Sequence, residues 1–284
     1  MSRGFLTFFE KYCLRYKNPT FYAILMPKVE KYVLTRMETV MPDREKDSEY
    51  AIKVADVTKV YRLYEKPIDR LKESMSISHK NYHRDFYALN QLSFHVKKGE
   101  TVGIIGTNGS GKSTLLGILS GGLRQDHGTY SFDEPDNTVS FLPQENPLIP
   151  ELSGLDNLKL WYSGRSAELN STYSLSILKK LGVDAFLHQK VSTMSGGMKK
   201  RLSLAICMLE RPDLLLLDEP LAALDLLCKK GILDYLKEYT GNGGSIIVAT
   251  HEEDALSICN RIYILKDGLL QEANGADYAA MLRA

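Results

Sequence analysis

Short apolar runs alternate with amphipathic segments of helical periodicity through most of the chain after residue 50. The apolar runs predict strands over residues 52–57, 92–96, 101–105, 214–217, 245–249 and 261–265. Apolar positions that recur at helical spacing predict helices over residues 112–119, 171–181, 198–209 and 229–239. Because strands alternate with helices, we expect an α/β fold in which a mainly parallel sheet carries helices on both faces.

Residues 1–50 follow a different pattern and are expected to form an N-terminal amphipathic extension and a linker. This part is rich in aromatic residues, and apolar side chains recur at helical spacing after Pro27, which suits the first turn of a helix. Such an extension either lies at a membrane surface or packs its apolar face against the rest of the chain. We assign residues 51–284 to the main domain.

The composition narrows the class of protein further. The formal net charge is +1, so nothing indicates nucleic acid as a partner. The four cysteines are scattered, which favours reduced thiols in a cytosolic protein over a disulfide frame or a zinc site. No apolar run reaches the ~18 residues that a membrane span requires, and none is long enough for the core of a signal peptide. We therefore expect the chain to remain in the cytoplasm.

The sequence GTNGSGKST, at residues 106–114, lies between a predicted strand and a predicted helix. It fits the pattern GxxxxGK[ST], and this context identifies a phosphate-binding loop. Glycines let backbone N–H groups surround phosphate oxygens, and the helix N-terminus adds a partial positive charge. Lys112 would neutralise the outer phosphates, and the Ser113 hydroxyl would be a ligand for Mg²⁺. The residues predicted to bind the nucleotide are Gly106, Thr107, Asn108, Gly109, Ser110, Gly111, Lys112, Ser113 and Thr114.

Four leucines at residues 214–217 are followed by Asp218, Glu219 and Pro220. A buried strand that ends in two acids delivers them to the carboxyl edge of the sheet, where open α/β sheets bind ligands. Asp218 would hold the metal, directly or through water. Glu219 would act as the general base on the attacking water. Together with the loop, this pair predicts a P-loop nucleoside triphosphatase.

A second glycine-containing segment, MSGGM at residues 194–198, precedes a long helical pattern. A serine and two glycines before a helix form another anion-binding N-terminus, although one chain does not need two for a single phosphate chain. The combination of the loop, MSGGM and DEP resembles the ATP-binding subunits of ABC transporters over roughly residues 51–275. The resemblance implies ABC ATPase architecture with a helical subdomain at about residues 145–210, and it implies ATP and Mg²⁺ as cofactors.

The same resemblance assigns roles to further residues. Gln144 is similar to the family's glutamine that contacts the metal and the water and senses the membrane subunits. His251 is similar to the switch histidine that contacts the γ-phosphate. Two copies are expected to pack head to tail, with ATP between the loop of one copy and Ser195, Gly196 and Gly197 of the other. An integral membrane permease is the second implied partner, which places the chain peripherally at the cytoplasmic face of the cell membrane.

The aromatic residue that stacks on adenine remains open at this point. The family usually places one before the strand that leads to the loop, and Tyr61 matches that position. Residues 62–87 intervene, which leaves Phe86 and Tyr87 as alternatives to the favoured Tyr61. One departure from the family is Met198, where most members carry glutamine. We expect activity to survive, because the serine and the glycines bind the phosphates.

Two features bear on the transported substrate. Residues 61–73 and Met198 resemble the ATPases that export O-antigen or teichoic-acid polysaccharides. In contrast, LAALDLLCKK and the unbroken SGGM resemble exporters of lipids, drugs or peptides. Since the sequence ends at Ala284, no C-terminal carbohydrate-binding domain is expected. Export of a cell-surface polysaccharide is favoured, and another export substrate is the alternative.

Residues 62–87 form a polar, charged insertion between two predicted strands. This segment either lies near the membrane subunit, with Lys66, Arg70 and Lys72 facing the partner or lipid headgroups, or it is a solvated loop.

A soluble ABC ATPase that acts on ribosomes or DNA is the alternative from another class. Such proteins usually carry two ATPase cassettes or a long coiled-coil insertion, whereas this chain has one phosphate loop and no heptad stretch. Transport is therefore favoured.

Overall fold

The structure, a computed structural model, describes residues 49–75, 82–132, 138–162, 169–222 and 224–273. Its strands are β1 (Tyr50–Tyr64), β2 (His83–Lys97), β3 (Thr101–Ile105), β4 (His127–Phe132), β5 (Val139–Leu142), β6 (Leu214–Asp218), β7 (Ser245–Ala249), β8 (Arg261–Lys266) and β9 (Leu269–Glu272). Its α-helices are α1 (Pro67–Met75), α2 (Lys112–Leu119), α3 (Gly154–Trp161), α4 (Thr172–Lys180), α5 (Gly196–Leu209), α6 (Leu226–Gly241) and α7 (Glu253–Leu256). The predicted N-terminal extension lies, as far as residue 48, outside the described residues.

A six-stranded sheet in the order β5-β6-β7-β3-β8-β9 organises the fold. Neighbouring strands from β5 to β8 are parallel, and β9 pairs antiparallel with β8. Along β6, Leu214 and Leu216 pack in one apolar cluster with α2, while Leu215 and Leu217 pack in another with α5 and α6. Both faces of β6 are therefore buried, which explains its unbroken apolar sequence. The predicted α/β fold with a mainly parallel sheet is confirmed.

A second, antiparallel sheet in the order β2-β1-β4 shares an apolar cluster with α2 and one face of the first sheet. β1 and β2 each contain 15 residues, and they pair from their outer ends to their inner ends. Register shifts interrupt this pairing near Asp56 and Gln91, which have φ values of 53° and 51°. The sequence predicted only the inner, apolar halves of these strands. Their outer halves are largely exposed and mix charged with aromatic and aliphatic side chains, so no apolar alternation marks them.

The tip of the β1–β2 hairpin carries α1, which is held by the carboxylate of Glu73. This carboxylate accepts hydrogen bonds from the Tyr82 N–H at 2.9 Å and from the Tyr64 hydroxyl at 3.3 Å, and it lies 2.7 Å from His83 Nδ1. The hydrogen bond with His83, followed by the one from Tyr82, lowers the pKa of Glu73. The described part of the predicted insertion is therefore strand, helix and strand, tied together by one acid.

Between β5 and β6 the chain forms α3, α4 and α5, within the range predicted for a helical subdomain. The helices begin after Ser153, Ser171 and Ser195, and each serine hydroxyl accepts a hydrogen bond from a backbone N–H of the first turn. A cap of this kind typically contributes about 1 kcal/mol. Apolar side chains of all three helices join Leu215 and Leu217 of β6 in one cluster, which fixes this unit on the sheet.

Within the parts of the chain that the structure describes, no helix is both long and apolar enough to cross a membrane.

Candidate active site

The loop between β3 and α2 surrounds the ammonium group of Lys112. Lys112 is the first residue of α2, and its Nζ donates hydrogen bonds to the carbonyl oxygens of Gly106 at 2.7 Å and Thr107 at 3.1 Å. The residue is 7% exposed. Burial lowers the pKa of Lys112, while the charges of Glu219 and Asp218 act in the opposite direction. The loop thus holds a buried cation where phosphate oxygens would bind.

Three glycines give the loop its shape. Gly109 and Gly111 have φ values of 81° and 107°, which glycine adopts without steric cost. A Cβ atom at Gly106 would lie 2.4 Å from the carbonyl oxygen of Leu265, and one at Gly111 would lie 2.3 Å from that of Ala88. The loop is therefore enclosed by β8 on one side and β2 on the other. Gly111 also caps α2, so the first N–H groups of the helix, which have no partner within it, lie at the loop.

Ser113 and Asp218 bring two oxygen donors together at the C-terminal end of β6. The Ser113 hydroxyl is hydrogen-bonded to the carboxylate of Asp218, which is 3% exposed. Burial raises the pKa of Asp218, whereas Ser113 and the charges of Lys112 and Lys200 lower it. A hydroxyl and a buried carboxylate are hard oxygen donors of the kind that Mg²⁺ prefers, so these residues fit the expected metal.

Glu219 is held in place by two residues that follow β7. Its Oε1 lies 2.8 Å from His251 Nδ1, and its Oε2 accepts a hydrogen bond from the Thr250 hydroxyl at 3.2 Å. Glu219 has φ 48°, a strained conformation that costs of order 1 kcal/mol, and its N–H donates to the carbonyl of Ala249 at 2.9 Å. The carboxylate is buried, while the His251 side chain is 62% exposed. His251 therefore contacts Glu219 while most of its side chain stays accessible.

Thr250 was not recognised from the sequence. It is fully buried, its N–H donates to the carbonyl of Ile104 at 3.1 Å, and its hydroxyl also accepts from the N–H of Glu252 at 3.0 Å. A hydroxyl residue directly between a buried strand and a predicted site histidine is the signal that could have indicated it.

Gln144 lies two residues after β5, at the same edge of the sheet as the acids, because Leu142 of β5 pairs with Leu217 of β6. Its side chain is exposed, and its carbonyl oxygen accepts a hydrogen bond from Lys200 Nζ at 2.9 Å. Sequence reasoning missed Lys200. Its position four residues before the buried Leu204, on the apolar side of α5, is the pattern that could have drawn notice.

The turn at the start of α5 is exposed. The Ser195 hydroxyl caps the helix by accepting from the N–H of Met198 at 3.2 Å. A Cβ atom at Gly196 would have nothing within 4 Å, whereas one at Gly197 would lie 3.3 Å from the sulfur of Cys228. Within the described residues, this turn makes local contacts and approaches Leu224 and Cys228 at the start of α6, rather than the phosphate-binding loop.

The three candidate adenine contacts lie on β1 and β2. Tyr61 is paired with Phe86, so these two side chains share one face of the hairpin, and Tyr87 lies on the other face. They are 37%, 42% and 48% exposed, so each is accessible to a ligand. Lys59 Nζ lies 5.6 Å from the centre of the Tyr61 ring.

Comparison with known proteins gives consistent matches. A family model described as "ABC transporter" matches residues 89–222. The teichoic acids export ATP-binding protein TagH of Bacillus anthracis is 35% identical over 227 residues, which cover 78% of this chain and 40% of that protein. The protein of the same name from Staphylococcus saprophyticus is 30% identical over 230 residues, or 80% of this chain and 85% of that protein. A macrolide export ATP-binding/permease protein of Aeromonas hydrophila is 32% identical over 209 residues, or 68% of this chain and 32% of that protein.

The chain thus spans less than half the length of the Bacillus anthracis relative and most of the length of the staphylococcal one. Among solved structures, a dimeric post-hydrolysis state of an ATP-binding cassette with ADP and Pi has a TM-score of 0.65 and 28% identity, and the match covers 79% of this chain and 99% of that one. The phosphate-binding loop, the acid pair and these relatives lead to one conclusion. The chain belongs to the ATP-binding proteins of ABC transporters.

Proposed function

We propose that this chain binds ATP with Mg²⁺, hydrolyses it, and supplies the energy for an exporter in the cell membrane. The observation that carries the proposal is the convergence of Lys112, Ser113, Asp218, Glu219 and His251 at one edge of the parallel sheet. A buried cation, a pair of hard oxygen donors and an oriented carboxylate are the groups that phosphoryl transfer to water requires.

In the proposed reaction, the N–H groups of the loop and Lys112 bind the β- and γ-phosphates. Ser113, Asp218 and the side chain of Gln144 would hold Mg²⁺, which supplies charge neutralisation to the phosphates when it is bound. Glu219 takes the proton of the attacking water, and Thr250 and His251 keep its carboxylate oriented toward that water. His251, being exposed, also contacts the γ-phosphate.

Two copies of the chain are proposed to close head to tail over the nucleotide. Support comes from the exposed turn at Ser195, Gly196 and Gly197, which offers a second anion-binding helix N-terminus to a partner. The similar solved structure is itself dimeric. Purified chain with ATP and Mg²⁺ should therefore release phosphate at a specific rate that rises with protein concentration. Absence of ATP hydrolysis at every concentration would reject the proposal.

Tyr61 is proposed as the adenine contact. Tyr61→Ala should weaken nucleotide binding about fivefold, the usual size of a lost aromatic contact. Phe86→Ala and Tyr87→Ala serve as matched variants, since both residues are comparably exposed on the neighbouring strand. Titration with a fluorescent ATP analogue ranks the three, and a larger loss in either matched variant would move the contact to that residue.

The proposed substrate class is a cell-surface polysaccharide such as teichoic acid or O-antigen. Support comes from the names of two relatives, while the relative named for macrolide export keeps lipid, drug or peptide export as the second candidate. Co-purification with a multi-span membrane protein, followed by loss of cell-wall polymer on depletion of the chain, would support the first. Unchanged polymer with altered drug tolerance would favour the second.

Helix α1 is proposed to lie near the permease, with the chain peripheral at the cytoplasmic face. Ile68 and Leu71 of α1 are 54% and 58% exposed, and Lys66, Arg70 and Lys72 surround them in sequence. Deletion of residues 63–73 should uncouple ATP hydrolysis from transport. Polymer export at the normal rate would show that α1 is a solvated element only.

A further inference from the structure

Lys200 is a buried lysine whose ammonium group contacts main-chain oxygens. It lies in the second turn of α5, the helix that begins at the Ser195 turn, and it is 4% exposed. Its Nζ donates to the carbonyl oxygen of Gln144 at 2.9 Å and approaches that of Pro143 at 3.5 Å. Burying a charged ammonium group costs free energy unless hydrogen bonds or opposite charges compensate for it. For Lys200, the hydrogen bonds to this short loop supply part of that compensation.

The far end of the same loop is also attached to the helical unit. Asn157 of α3 is fully buried, its Oδ1 accepts from the N–H of Ile149 at 2.7 Å, and its Nδ2 donates to the carbonyl of Ile149 at 3.1 Å. Residues 143–149 are therefore held at both ends by side chains of α5 and α3. The main chain around Gln144 is therefore attached to these helices by hydrogen bonds, although Gln144 lies only two residues after β5.

The charge of Lys200 also interacts with the charges of the acid pair. It acts on Asp218 in the same direction as the charge of Lys112, and Asp218 and Glu219 both act on Lys200. The two lysines thus belong to different helices, α2 and α5, and share the acids of β6. A neutral side chain at position 200 could keep the loop attached, but it would leave the acids with one cation fewer.

We infer that Lys200 is a positioning residue: its hydrogen bonds to the Gln144 main chain make the place of Gln144 at the active site depend on the place of α5. The inference rests on the proposed ATP hydrolysis for its kinetic consequence, but its structural consequence is independent of it. When α5 moves, the carbonyl of Gln144 moves with it, and the side chain of Gln144 approaches or leaves the acids. Lys200 then links two parts of the proposed site. One is the Ser195 turn, which would contact the nucleotide of the second copy, and the other is Gln144, which would contact the metal.

The test uses Lys200→Met, Lys200→Gln and the matched control Lys199→Met, all in the full chain. Lys199 is the adjacent lysine of α5 and is only partly buried. Hydrogen exchange of the nucleotide-free, Mg²⁺-free protein should be about tenfold faster at residues 144–149 in Lys200→Met, because the loop opens locally without its anchor. The control should match the wild type. Lys200→Gln should restore most of the protection, since an amide still donates a hydrogen bond.

Steady-state kinetics then separates positioning from nucleotide binding. Lys200→Met should lower kcat about tenfold with the KM for ATP within about twofold, and Lys200→Gln should recover part of kcat. The inference is overturned by wild-type exchange at residues 144–149 in Lys200→Met, by exchange that rises equally throughout α5 and β6, or by a loss carried by KM alone. If the wild type hydrolyses no ATP, the proposed function fails, while the exchange experiment still decides the role of Lys200.

Discussion

Helices α2 and α5 each begin at a glycine-containing turn, and helix N-termini are a common place for anions to bind. At α2, Lys112 is buried with Asp218 and Glu219, and their charges interact. At α5, Ser195 and Gly196 are exposed, and a serine hydroxyl caps the helix. A helix N-terminus therefore lies among candidate catalytic side chains at α2 and at an open surface at α5, and the two are capped differently: by the left-handed Gly111 at α2 and by the extended Ser195 at α5.

The difference comes from what precedes each helix. α2 follows the central strand β3, and the ends of β6 and β7 at the same edge of the sheet supply the acids, Thr250 and His251. α5 follows a 3₁₀ turn outside the sheet, so no neighbouring strand delivers side chains to its start. In open α/β sheets, ligands bind outside the carboxyl ends of the parallel strands, and of the two helices compared it is α2 that begins at that edge. Substitutions at the two helices should therefore have different kinetic signatures.

The largest effect is expected for Glu219→Gln, at the end of β6 beside α2. Turnover should fall about 10³-fold with ATP affinity unchanged within about twofold, because glutamine keeps the size of the side chain but cannot accept a proton. Phosphate release and nucleotide titration measure the two quantities. Glu238→Gln is the control, a surface glutamate of α6 that pairs with Lys180. Normal turnover in the Glu219 variant would mean that another group is the base.

Lys112→Met should act on binding rather than on chemistry. We expect nucleotide affinity to fall about 100-fold, since a charge-assisted contact to the outer phosphates is lost. Equilibrium titration with a fluorescent analogue checks this value. Lys230→Met, an exposed lysine of α6, should bind as the wild type does. A loss of less than threefold at Lys112 would remove the distinction between the two helix N-termini.

Ser195→Ala should give a smaller and different effect. The isolated chain should bind nucleotide normally, whereas turnover of the assembled dimer should fall about tenfold, because in the proposed head-to-tail dimer this turn contacts the nucleotide of the partner copy. Turnover measured across protein concentrations separates the two states. Ser192→Ala, at an exposed position in the preceding 3₁₀ turn, is the control. Unaltered turnover in Ser195→Ala would contradict the sandwich arrangement.

The smallest effect is expected away from both helices, for Glu73→Gln at the hairpin tip. The pKa of Glu73 is lowered by its hydrogen bonds, so its contribution to stability is present above the ordinary pKa of glutamate and is lost as the pH falls through the lowered value. At pH 7 the variant should exchange the amides of α1 about fivefold faster, and the difference from the wild type should close in acid. Nucleotide affinity should not change. A changed affinity would show that the hairpin tip is energetically coupled to the phosphate-binding loop.

The sequence predicted elements whose stability is local or whose burial is complete. The predicted bounds of β7 and α2 agree with the structure. β7 is buried on both faces, so its sequence is a continuous apolar run with clear ends, and the start of α2 is marked by the glycines of the preceding loop. The outer halves of β1 and β2 were missed because their exposed residues are ordered by pairing across the hairpin, which no local pattern encodes. α1 was missed for a similar reason, since its anchor, Glu73, contacts residues on both strands.

The site divides in the same way. Lys112, Asp218 and Glu219 stand in short motifs whose spacing indicates their chemistry, so they could be predicted. Thr250 and Lys200 carry much weaker sequence signals, because the residue that each contacts is far away in sequence: Glu219 for Thr250 and Gln144 for Lys200. Motifs indicate the candidate groups for the nucleotide, whereas the side chains that contact and orient those groups become evident in the packing.

The close approach of Gly111 to the carbonyl of Ala88 limits where residues can be inserted into or deleted from the β1–β2 hairpin. Since a strand of the antiparallel sheet forms one wall of the phosphate-binding loop, a change in the pairing register of β1 and β2 would push backbone into the loop. Added or removed residues at the hairpin tip leave that register in place, because the paired strands absorb them at their far end. The tip is therefore the part of the hairpin where length can change without moving Ala88 against the phosphate-binding loop, even though such a change would remove α1 and its proposed place near the permease.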